Sequence, residues 1–169
     1  PFLIPLVLTL IVFWSTTLCV WTSNHINKWK NNITLWENAL INTKNNFIAH
    51  YNLGVLFLEK NDFLSSEGHL QECIKINPRM AEAYVNLGII YHQNKKYPDS
   101  IHSYKKAIRL KPDLFEAWFN LSDIYYELSN YEIALTCLKK CRSLNPLDPA
   151  VNQNLMSAEK NLSKEKGKS

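Results

Sequence analysis

Three segments of the chain superimpose in register at a spacing of 34 residues: Phe47 to Met80, Ala81 to Leu114 and Phe115 to Asp148. Self-similarity at such a period marks tandem helical units that stack on one another, because one unit cannot bury its apolar face alone. Position four of the unit holds His50, Tyr84 and Trp118, and position seven holds Leu53, Leu87 and Leu121. Position eight follows with Gly54, Gly88 and Ser122, and position eleven is aromatic in Phe57, Tyr91 and Tyr125. In the second half, small residues recur at position twenty (Ser66, Ser100, Ala134) and position twenty-seven (Cys73, Ala107, Cys141). A bulky residue lies between them (Leu70, Tyr104, Leu138), and Pro78, Pro112 and Pro146 share position thirty-two.

Each column has a physical reason. Glycine inside a helix costs roughly 1 kcal/mol against alanine, so Gly54 and Gly88 fit a crossing too close to admit a side chain. The prolines disfavour helix in the residue before them, so Asn77, Lys111 and Asn145 should end each second helix. These columns resemble the tetratricopeptide repeat (TPR) family. The fold that follows is all-α: a right-handed TPR α-solenoid of antiparallel helix pairs, with repeats at 47–80, 81–114 and 115–148. Pro149 restarts the register, and 149–164 is expected to be a capping helix whose polar side carries Asn152, Gln153, Lys160 and Lys164, ahead of a disordered tail at 165–169.

The N-terminal stretch is of another kind. Pro1 to Thr22 has no charged residue, and 21 residues as a helix reach roughly 32 Å, the thickness of a hydrocarbon core. One transmembrane helix is therefore expected over 1–22, with Trp14 and Trp21 as interfacial aromatics. Residues 23–46 read as a juxtamembrane segment and a half-repeat, since Trp29, Trp36 and Ala39 match positions seventeen, twenty-four and twenty-seven of the unit. The apolar start without methionine suggests the C-terminal piece of a longer membrane protein.

The net charge of +4 comes from Lys28 and Lys30 and from a tail with four lysines against two glutamates, leaving 31–158 neutral. Nucleic acid is thereby disfavoured as a partner. Cys73 and Cys141 occupy a small-residue column and Cys137 lies one turn before Cys141, so packing is their expected role. Without CxxC spacing or clustered histidines, neither a metal site nor any other cofactor is expected. No catalytic motif occurs, and the chain by itself is not expected to be an enzyme.

Asparagine recurs at position six, in Asn52, Asn86, Asn120 and Asn154. In TPR arrays this position faces the concave groove, and the row is similar to the asparagine ladder of O-GlcNAc transferase. A side-chain amide both donates and accepts, so it can hold a peptide unit without reading its side chain, or bond instead across neighbouring repeats. Around the row, Tyr51, Val55, Val85, Ile89, Phe119, Asp123 and Tyr126 complete the candidate peptide-binding set, with Leu58 and His92 beside them in a largely apolar groove. The basic residues with which chaperone-binding TPR domains clamp a terminal carboxylate have no counterpart.

The junction from Trp29 through Trp36 to Asn45-Asn46 and His50-Tyr51-Asn52-Leu53-Gly54 resembles the place where transmembrane-and-TPR O-mannosyltransferases, and bacterial relatives, leave their last spanning helix. That resemblance implies a polytopic GT-C glycosyltransferase upstream, with its catalytic acids outside this chain, and a groove that presents acceptor polypeptide on the lumenal or periplasmic side. Lys28 and Lys30 argue weakly for the cytoplasmic side instead. The alternative function is a membrane-tethered protein-protein interaction scaffold with no enzymatic domain.

Overall fold

The computed structural model describes Trp14, Lys30 and residues 32–167. The span expected at 1–22 lies, apart from Trp14, outside the described residues, as does most of 23–31. Among the described residues no helix is long and apolar enough to cross a membrane. Residues 32–42 are helical (α1). Seven helices follow: α2 (Phe47–Glu59), α3 (Phe63–Ile76), α4 (Ala81–Gln93), α5 (Tyr97–Leu110), α6 (Phe115–Glu127), α7 (Tyr131–Leu144) and α8 (Pro149–Lys166). The described chain is an all-α solenoid of helix pairs.

Asn77, Lys111 and Asn145 are the C-caps of α3, α5 and α7, each immediately before its proline. Their amides bond back to Cys73, Ala107 and Cys141 at 2.8 Å. The turn inside each repeat is built differently. Asn61, Lys95 and Ser129 all adopt φ near +57°, and the next amide in each case reaches five residues back, Asp62 to Phe57, Lys96 to Tyr91 and Asn130 to Tyr125. This is the Schellman closure, which usually employs glycine because a side chain there costs about 1–2 kcal/mol.

The glycines stand where the paired helices cross. A Cβ on Gly54 would lie 2.7 Å from Leu70 Cγ, and one on Gly88 would lie 2.5 Å from the Tyr104 ring. Serine hydroxyls complete the crossing: Ser66 donates to the Gly54 carbonyl and Ser100 to the Gly88 carbonyl, both at 2.6 Å. In the third repeat the chemistry changes sides. Position eight is now Ser122, which bonds within its own helix to the Phe119 carbonyl, and its counterpart is Ala134, which has no hydroxyl to offer.

Within each repeat the two helices pack tightly, and the stack continues through α3 on α4, α5 on α6 and α7 on α8. First helices also touch across repeats, α2 with α4 and α4 with α6, while among the described residues no comparable contact joins α3 to α5 or α5 to α7. The stack is therefore tighter on the first-helix side, which makes that side the concave one. Its core lies in three successive clusters, one around Leu70, Cys73 and Ile90, one around Tyr104, Leu121 and Ile124, and one around Leu138, Cys141 and Val151. The last helix closes the stack by burying Val151, Leu155 and Ala158, and leaves Gln153, Lys160 and Lys164 in solvent.

Candidate functional site: the first-helix face

Because α2, α4, α6 and α8 lie on one side, the four asparagines come to that side, all half-buried. Two of the four amides donate hydrogen bonds within the protein. Asn52 donates to its own helix at the Ile48 carbonyl (2.8 Å), and Asn154 donates to Asp123 Oδ1 (3.4 Å). Asn86 stands beside the Tyr51 phenol, and Asn120 beside that of Tyr104. An amide offers two donors and two acceptor sites, so one bond leaves most of its capacity open.

The other sequence-derived site residues divide between groove and core. Val85 is only 6% exposed and belongs to the core. Ile89 and Tyr126 pack against that same cluster, and Phe119 and Tyr51 against its neighbours, while Val55 and Asp123 are half-buried. The open surface is consequently more polar than columns five, nine and twelve suggest. One cleft of about 400 Å³ is lined by Tyr51, Val85, Asn86 and Leu114, with Glu82, Lys111 and Glu116 at its rim. A second, of about 320 Å³, lies among His92, Ser122, Asp123, Tyr126, Glu127, Leu138, Asn154 and Ser157. Asp123 was in the candidate set, whereas Glu82, Glu116, Glu127 and Lys111 come from columns two, thirteen and thirty-one, which sequence reasoning passed over.

Bridges tie successive repeats across this face. His92 Nε2 of the second repeat meets Glu127 Oε2 of the third at 3.1 Å, while Lys111 Nζ meets Glu82 Oε1 at 3.2 Å within the second. Asn161 donates to the Tyr126 hydroxyl at 2.7 Å. Burial, with Glu127 nearby, pushes the Asp123 carboxyl up to about 6, although His92 pulls the other way.

A histidine pair, unseen in the sequence, lies at the first crossing. His50 Nδ1 and His69 Nδ1 are 3.2 Å apart, and the His69 ring stacks on Phe57. Columns four and twenty-three hold these residues, and in later repeats the same columns hold Tyr84 with Ser103 and Trp118 with Cys137, so only the first repeat creates the pair. Desolvation lowers the pKa of both rings, and for His69 the His50 charge adds to it, against smaller opposing effects of Glu72 and Glu37. Folded values below the ordinary 6.5 mean that the unfolded chain binds protons first. The pair thus contributes fully above about pH 6.5 and its contribution fades as pH falls through the folded values. The melting temperature is expected to drop between about pH 7 and pH 5, and to drop less in His69→Phe; identical pH profiles would remove the pair as the cause.

Among the described residues, the three cysteine thiols carry no reactivity of note. Burial raises Cys73 and Cys137 to about 11 and Cys141 to about 12, so thiolate is scarce at neutral pH.

Tetratricopeptide-repeat family models match residues 69–102, 90–129 and 115–148, the last of them in the register read from the columns. Residues 69–148 carry tetratricopeptide repeats. The TPR array is similar in fold to two crystal structures of MamA. One gives a TM-score of 0.74 at 18% identity over 84% of this chain and 78% of that one; the other gives 0.73 at 19% over 87% and 94%. It is also similar to the TPR2B domain of yeast Sti1 in complex with pHsp70, at a TM-score of 0.63 and 22% identity over 68% of this chain and 96% of that domain. No curated protein matches it in sequence.

Proposed function

We propose that the TPR array binds an extended polypeptide along its first-helix face. The observation that carries this reading is the row of four half-buried asparagines on α2, α4, α6 and α8, with Asn86 opening into one cleft and Asn154 into the next. The Sti1 domain, solved as a complex, supports it by analogy of fold. The uncharged residues 1–22 anchor the array in a membrane, and the junction sequence supports a role as the acceptor-binding C-terminal part of a polytopic glycosyltransferase, on the extracytoplasmic side. In this reading the chain holds substrate and does no chemistry itself.

The double variant Asn86→Ala, Asn120→Ala is expected to weaken a bound extended peptide by about tenfold or more, at about 1 kcal/mol per lost bond. Fluorescence anisotropy measures the affinity. A large drop in melting temperature with unchanged affinity would show that the amides only tie the repeats together. For the membrane side, the repeats are expected to be resistant to protease added to the cytoplasmic face of sealed vesicles. Digestion from that face would place them in the cytoplasm.

A further inference from the structure

The cleft at Asp123 has a chemistry that the other repeats lack. Positions nine and thirteen of the first helix hold Val55 and Glu59 in the first repeat and Ile89 and Gln93 in the second, but Asp123 and Glu127 in the third. Two acids four residues apart on one helix repel by a few tenths of a kcal/mol. Glu127 has His92 at 3.1 Å, whereas Asp123 receives only the neutral Asn154 amide in a long 3.4 Å bond. Beside these carboxylates the cleft presents the Tyr126 ring, with the buried Leu138 at its floor. An apolar wall leading to a half-buried acid matches a side chain with an alkyl stem and a charged head.

We propose that this cleft receives a basic side chain, lysine or arginine, of the bound polypeptide, its stem along the Tyr126 ring and its cation against Asp123 and Glu127. The inference rests on the polypeptide-binding reading and gives that ligand a chemical class. A volume of about 320 Å³ accommodates one long side chain. The titratable groups that face Asp123 are His92 of α4, Tyr104 of α5, Glu127 of its own helix and Cys141 of α7. A cation bound here favours the ionised carboxylate, so the preference for basic peptides weakens as pH falls below about 6.

The test uses the 169-residue chain, immobilised, and four degenerate dodecapeptide libraries whose central residue is lysine, arginine, norleucine or glutamate. The lysine and arginine libraries are expected to be retained about fivefold over norleucine at about pH 7.5. That ratio should approach one in Asp123→Asn, which keeps an acceptor for Asn154, and at about pH 5. Equal retention of norleucine, or a ratio that survives both Asp123→Asn and Glu127→Gln, overturns the cleft assignment and leaves the groove as a binding surface. If no library is retained, the polypeptide reading fails and takes this inference with it.

Discussion

Replacing Gly88 with leucine is expected to abolish the cooperative melting transition of the array. Its Cβ alone would lie 2.5 to 2.8 Å from three atoms of the Tyr104 ring, which is fully buried and cannot swing aside. Overpacking of this kind costs about 1–3 kcal/mol even when a core can adjust. Leucine adds three further carbons to a site that has no room for one, so the cost should pass about 3 kcal/mol, a large share of a marginal stability. The control is Gly68→Ala on α3, where an added Cβ meets nothing within 4 Å. That variant should gain about 0.5–1 kcal/mol from helix propensity. Urea melts followed by circular dichroism measure both, and equal effects at the two glycines would refute the close crossing.

Tyr104→Ala should cost about 3–5 kcal/mol, because it empties the largest fully buried side chain of the second repeat. Tyr104→Phe tests a finer point. The hydroxyl is buried without a hydrogen-bond partner, although Ser100 and Asn120 stand close enough to temper the rise that burial gives its pKa. A buried unbonded hydroxyl carries a desolvation cost, so removing it should leave stability unchanged or raise it by up to about 1 kcal/mol. A clear loss in Tyr104→Phe would reveal a bond that the static structure lacks. The two variants together separate the ring, which fills the crossing, from its oxygen.

The helix pairs were legible in the sequence because their causes are local. A proline ends a helix whatever surrounds it, and Asn77, Lys111 and Asn145 became caps for that reason. The turns between paired helices were not legible, since Asn61, Lys95 and Ser129 hold the left-handed conformation without glycine to announce it. At the candidate site the row of amides could be read as a column, but the partners of those amides could not. Tyr51 with Asn86, His92 with Glu127 and Tyr126 with Asn161 are each 35 residues apart, one more than the repeat. Neighbouring helices are staggered, and a side chain therefore meets the column next to its own. His50 and His69 escaped notice for a related reason: their columns meet only across the crossing of two helices.

The same offset bridges have a mechanical meaning. They lie on the tighter side of the superhelix, where straightening the coil must pull adjacent turns apart. Uncoiling breaks them in series, whereas winding the coil further compresses side chains already in contact. The protein is thus a spring with a preferred pitch, and a tension applied between its ends would be met first by hydrogen bonds at its lining and only afterwards by its hydrophobic interior.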